Sequence, residues 1–231
     1  MDGILLSFKQ ALGLILSFDR ELVGIVLLSL EVSLAAVVIA TVLGLPTAYL
    51  LAVKRPPLNK AAVGLLNTGM GLPPVVVGLF LYLLLSRSGP LGGWGLLYSP
   101  GAMIIAQTIL AFPIISALSY SALAAVKPTI RLAARGLGAG EIQASLTMLK
   151  EARPGIFSAL MAGLGRLLAE VAAVLIVGGN IAGYTRTMTT TIALEYDKGN
   201  FELAIALGII LLLISLCINL VLLLFREKAR P

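Results

Sequence analysis

Three groups of residues carry the chemistry this sequence offers. Gly178 to Thr187, GGNIAGYTRT, gathers hydroxyls, an amide and a guanidinium, and its glycines leave backbone N–H groups open. An anion offers acceptors only, so donors of this kind are what would receive one, with Asn180, Thr185, Arg186 and Thr187 as candidates. The same residue types also make an ordinary solvated turn. Upstream, Arg166 and Glu170 stand four apart in an apolar run and share a helical face, beside Gly163 and Gly165, which suit close helix contact. Charges so placed are read either as contacts for a passing solute or as a structural ion pair. The third group lies in Lys127 to Arg153. Small residues at Ala133, Ala134, Gly136, Gly138, Ala139 and Gly140 let a helix-turn-helix come close to another protein's backbone, with Arg131 and Arg135 toward acidic or carbonyl-rich partners. In a plain connector the same small residues would only permit tight packing.

Several other chemistries are excluded. The chain has no histidine, and its one cysteine, Cys217, lies in an apolar run, so neither a zinc cluster nor a disulfide is available. No Gly-x-x-x-x-Gly-Lys-Ser/Thr phosphate loop occurs. Gly136-Leu137-Gly138 is half of a dinucleotide fingerprint, but Glu141 stands where its last glycine belongs. Serines and threonines have no histidine or other well-placed base to form a nucleophilic triad. No catalytic residue and no bound cofactor is therefore expected on this chain.

The elements that must position these groups are membrane helices. In 231 residues, 59% are hydrophobic and 12% charged, about half the charged share of a soluble domain, and mean hydropathy is +1.03. One all-α membrane domain, 1–231, is expected. Five segments reach the roughly 20 apolar residues a span needs: Leu22–Val53, Ala61–Ser86, Gly101–Val126, Gly155–Ile181 and Phe201–Phe225. If they alternate, eleven basic residues fall on one side: Lys54, Arg55, Lys60, Lys127, Arg131, Arg135, Lys150, Arg153, Arg226, Lys228 and Arg230. Only Lys9, Arg20, Arg87, Arg186 and Lys198 fall on the other, which predicts an outer N-terminus and a cytoplasmic C-terminus. The net charge of +6 thus reads as topology rather than nucleic-acid binding.

Residues 1–20 read as an uncleaved interfacial elbow helix, because their apolar stretch is short and interrupted by Lys9 and Gln10. Glu31, inside the first span, must face protein or water, and a helix interface is expected. Asn67-Thr68-Gly69-Met70-Gly71-Leu72-Pro73-Pro74 should break or kink the second span, making Asn67 and Thr68 candidates for a pathway wall or for a packing kink. Pro113 should bend the third, with Gln107 facing a cavity or another helix.

The loop 127–153, with Ala133-Ala134, Gly138 and the following Pro154-Gly155-Ile156, resembles the cytoplasmic coupling loop of ABC importer permeases, although Leu132 stands where that family carries an acidic residue. GGNIAGYTRT, Leu72–Gly78 (LPPVVVG) and Gly89–Gly92 (GPLG) resemble molybdate and tungstate permeases, and Thr187 to Ile214 is more similar to the tungstate group. The resemblance implies a type I importer permease fold in a prokaryotic inner membrane, working as a homodimer. It also implies a cytoplasmic ATPase dimer that carries ATP and Mg, and an extracytoplasmic oxyanion-binding protein. Arg131, Ala133, Ala134, Arg135, Gly138 and Glu141 would then meet the ATPase. A molybdate or sulfate permease is the near alternative, and an ATPase-independent channel or secondary transporter the one from another class.

Overall fold

The computed structural model describes residues 2–54 and 56–228; Arg55 and Arg230, and the side chains of Arg226 and Lys228, lie outside the described residues. Ten α-helices occur among them and no strand: α1 Asp2–Leu16, α2 Arg20–Tyr49, α3 Asn59–Gly69, α4 Pro74–Leu85, α5 Pro100–Ala124, α6 Pro128–Gly136, α7 Glu141–Leu168, α8 Ala172–Gly178, α9 Met188–Asp197 and α10 Phe201–Lys228. Three helical stretches, Arg20–Lys54, Pro100–Ala124 and Phe201–Phe225, are long and apolar enough to cross a bilayer, and the count is five if each of two bent pairs is one span.

α5 is the central post, packed against α2, α7, α8 and α3. Its polar start is satisfied locally, since Ser99 accepts a hydrogen bond from the Ala102 amide and Pro100 supplies a preset first turn. α5 continues through Pro113 as one helix. α2 begins the same way, with the Asp19 carboxylate accepting from the Glu21 and Leu22 amides at 3.0 Å each. It buries Ile25, Val32, Ala36 and Ala40 on one face, and small side chains there bring α2 and α5 close. Glu31 does not enter that interface: it is exposed on the opposite stripe, beside Leu27, Leu34, Val38 and Val42. α1 packs along α10, and Leu14 and Ile15 join the core.

Two spans are broken. α3 and α4 meet at 97° across 70–73, where two prolines remove amide donors, so the expected break is a full turn of direction. α7 and α8 meet at 60°. Here the expected span, Gly155–Ile181, is corrected. α7 runs unbroken from Glu141 through Pro154, absorbing half of the expected loop, and stops at Leu168 without any proline. Proline is tolerated inside membrane helices where neighbouring groups and local adjustment of the backbone satisfy the carbonyl it frees. The halves beyond the breaks pack together, α4 on α8. A Cβ on Gly78 would lie 3.0 Å from Ala173 Cα and 3.2 Å from Ile176 Cβ. Gly78→Leu should therefore destabilise the protein by about 1–3 kcal/mol, whereas Gly64→Leu, with open space at its Cβ position, should not. Thermal unfolding in detergent checks this; equal midpoints would refute the α4–α8 packing.

Candidate functional site: a helical hairpin and a stitched helix break

The hairpin comprises α6, a turn and the first turns of α7. Gly138 holds φ +89, which only glycine adopts without strain, and this lets the chain reverse after Gly136. Arg131 and Arg135 do not reach outward as expected. Both turn back to Glu141, at 2.9 Å and 3.0 Å, and so fasten α6 to α7. The Arg131 hydrogen bond first, and then the charges of Arg135 and Arg131, hold the Glu141 carboxyl below the usual carboxylate range. At the base, the Tyr49 and Ser145 hydroxyls hydrogen-bond and tie α2 to α7.

The outer surface of this hairpin sets large apolar side chains beside the exposed Arg135 and Glu141. Leu132, Leu137 and Ile142 are 67%, 91% and 78% exposed. Ala133 is exposed and Ala134 half-buried. A Cβ on Gly136, Gly138 or Gly140 would meet nothing within 4 Å. Intramolecular packing therefore does not require those positions to be small, in contrast with Gly44, where a Cβ would lie 2.8 Å from Ser116 Oγ.

At the α7–α8 break, Glu170 is 4% exposed. Its Oε2 receives Arg166 Nη1 at 2.8 Å, and its Oε1 accepts from the Ala173 amide at 3.1 Å, capping the start of α8. Thr189 Oγ1 donates to the Glu170 carbonyl at 2.7 Å, and Gln107 Nε2 donates to the Leu167 carbonyl at 3.2 Å. Side chains from α5 and α9 thus tie those helices to the break, at a Leu167 carbonyl that also accepts from the Glu170 amide and at the Glu170 carbonyl. Gln107 faces another helix, one of the two places expected for it, whereas Thr189 had no sequence signal for this task.

The donor-rich segment is mostly spent internally. Thr185 Oγ1 donates to the Gly178 carbonyl at 2.6 Å and accepts from the Ile181 amide at 2.9 Å. Thr187 caps α9 with Thr190, and the Met188 amide donates to Ser29 Oγ on α2. Both threonines are buried while Gly179 and residues 181–184 are exposed, so the segment is a turn with a solvated apex, anchored at its end. Asn180, at φ +50, and Arg186 keep capacity: Asn180 Oδ1 and Arg186 Nε are buried without a hydrogen-bond partner among the described residues. Arg186 also lies 3.6 Å from Glu21. Asn67 and Thr68 are exposed at the end of α3, with Thr68 Oγ1 bonded to the Gly64 carbonyl. A carboxylate missed from sequence, Glu195, is buried at the end of α9. Lys198 holds its pKa low, against the push of burial and with help from Asn200. Among the described residues no cluster of three or more potential metal ligands occurs.

Two outcomes follow from these ion pairs. Glu170→Gln should cost toward the lower end of about 3–5 kcal/mol, since Arg166 is 40% exposed, and Arg166→Gln/Glu170→Gln should recover part of it. Additive losses in a double-mutant cycle would refute the coupling. For Glu141, whose folded pKa is depressed, the clamp's contribution is complete above the ordinary carboxylate pKa. It is lost as pH falls from there through the lower folded value. Spin-label distances between α6 and α7 should therefore broaden only in acid below about pH 4; broadening at neutral pH would refute the clamp.

Comparison with known proteins agrees with this architecture. A permease from Haloferax volcanii, described as a probable anion ABC transporter permease protein, is 45% identical over 212 residues, 90% of this chain and 91% of that one. The tungstate uptake system permease TupB of Peptoclostridium acidaminophilum is 39% identical over 228 residues, 99% and 100% of the two chains. A chain of the MetNI methionine ABC transporter shares the fold with a TM-score of 0.72 at 21% identity, covering 91% of this chain and 96% of its own. Residues 32–231 match the family described as the binding-protein-dependent transport system inner membrane component, and this chain belongs to that family, as a transport subunit with the fold of type I ABC importer permeases.

Proposed function

We propose that this chain is the membrane subunit of an ATP-driven importer that carries tungstate into the cytoplasm. The observation that carries the transport reading is the α6–α7 hairpin, an apolar, small-residue knob whose glycines face open space. Such a surface fits the groove of another protein, here a cytoplasmic ATPase dimer that supplies ATP and Mg chemistry. Arg131, Arg135 and Glu141 brace the knob, while Ala133, Ala134 and Gly138 form its contact. The cargo reading rests on the near-full-length similarity to a tungstate uptake permease.

Charge and burial support the rest of the proposed assembly. The Tyr49–Ser145 hydrogen bond puts the C-terminal end of α2, with Lys54 just beyond it, on the same side as the α6–α7 hairpin, a side that the basic-residue bias assigns to the cytoplasm in a prokaryotic inner membrane. The N-terminus is then outside, with α1 as the interfacial elbow. Glu31 on a lipid-facing stripe would cost about 2.5–3.5 kcal/mol in hydrocarbon, which a second copy of this chain relieves by covering α2. An extracytoplasmic oxyanion-binding protein delivers cargo near Asn180 and Arg186, in the turn framed by Thr185 and Thr187. Asn67 and Thr68, beside the first break, line the way inward.

Vesicles holding the complex with its ATPase and binding protein should accumulate tungsten in preference to molybdenum and sulfur, and only with ATP. A sulfate preference would overturn the cargo, and ATP-independent flux would overturn the mechanism. Gly136→Trp, at a position free of positive φ, should cut uptake about tenfold or more while insertion persists. Unchanged uptake would refute docking through the knob.

A further inference from the structure

A groove of about 640 Å³ opens between α5, α7 and α10, roughly twenty times the ~30 Å³ that one water occupies in the liquid. Its walls are mostly apolar, with Gly155 and Leu222 at one end, but Ser158, whose hydroxyl donates to the Pro154 carbonyl, and Arg166, Ser215 and Asn219 bring polar groups into it. From Gly155 to Arg166 is about 16 Å of helix, so the groove runs from the α6 end to roughly the middle of a hydrocarbon layer ~30 Å thick.

The chemistry of its inner end is one-sided. No carboxylate lines the groove. The guanidinium of Arg166 donates one hydrogen bond to Glu170 and keeps 40% of its side chain exposed, which leaves further N–H donors facing the groove. Asn219 Nδ2 gives one of its two hydrogens to the Ser215 carbonyl, at 2.9 Å. Its other hydrogen and the Ser215 hydroxyl complete a donor set on α10 opposite Arg166. Glu170, behind the guanidinium and 3% exposed, fixes its position and offsets part of its charge.

We propose that this groove is a low-affinity site for a tetrahedral oxyanion, held by Arg166 on α7 and by Asn219 and Ser215 on α10. It rests on the reading that the chain passes such an anion, and it adds an intramembrane stop to that passage. The partial neutralisation by Glu170 keeps the hold weak, as a site on a conduction path must be. The phosphate of a lipid headgroup has the same acceptor chemistry, but Arg166 lies far below headgroup depth.

The test is equilibrium binding of tungstate to the complete permease–ATPase complex, without binding protein, in a phosphate-free detergent. Alongside it, phosphorus analysis is run on the purified complex and ATP-driven uptake is measured in vesicles with binding protein. Saturable binding at millimolar tungstate is expected. Asn219→Leu, which leaves the Arg166–Glu170 pair intact, should weaken it several-fold. The paired change Arg166→Gln/Glu170→Gln, which leaves no lone buried charge, should weaken it about tenfold or more, as loss of a charge-assisted contact does. No binding by a complex that still imports tungstate would overturn the site and leave the transport reading standing, and so would binding unmoved by either variant. Phospholipid that copurifies with the wild type and is lost from the paired variant would assign the groove to a headgroup instead. A wild-type complex that imports no oxyanion in the vesicles would overturn the transport reading itself.

Discussion

A helix interrupted within a bilayer has no water to satisfy the backbone groups it frees, so every one must find a partner in the protein. This requirement organises the molecule around residues 168–172. Glu170 caps α8, Gln107 reaches the Leu167 carbonyl from α5, and Thr189 reaches the Glu170 carbonyl from α9. Three otherwise separate elements are thereby fixed to the break, and Arg166 is held at its edge. The turn and α9 behind it are packed for the same reason: Thr185, Thr187 and Thr190 satisfy one another and the local backbone before any ligand arrives. The first break needs less support, because its prolines carry no amides to satisfy.

The hairpin is built on the opposite principle. Its ion pairs meet at Glu141, whose side chain is still more than half exposed, and Leu132, Leu137 and Ile142 are left outward beside them. Large apolar side chains exposed together mark a contact surface. That suits the docking proposed for this part, and the distribution of glycine agrees with it. Gly44 and Gly78 are small because a neighbour inside the chain is close, whereas Gly136 and Gly140 face nothing in the chain at all.

The spans were legible because apolar length is a one-dimensional property, and the 70–73 break because Pro73-Pro74 announces itself. The second break was not. α7 passes through Pro154 and ends at Leu168 beside Ala169 and Glu170, with no glycine or proline to mark the stop. What holds the stop in place is tertiary: a carboxylate that caps α8 and two distant side chains bonded to carbonyls beside it. α9 was equally hidden, since its buried Thr189, Thr190 and Thr191 have little helix propensity and read as loop. The residue types in the turn identify donors, but type does not reveal that Thr185 and Thr187 have local partners while Asn180 and Arg186 retain unused atoms. The pairing of Arg131 and Arg135 with Glu141 depends on the reversal at Gly138, which spacing alone could not foresee.

α7 joins the two halves of this design. At 28 residues it is a single rod about 42 Å long, with the knob at one tip and Arg166 close to the other. A tilt of only about 5° about the knob end would sweep the far tip sideways by roughly 4 Å, on the scale of a one-turn helix shift. A stiff helix of this length would thus convert a slight rocking at the knob into an atomic-scale displacement of the Arg166 charge, with the amplification set by rod length alone.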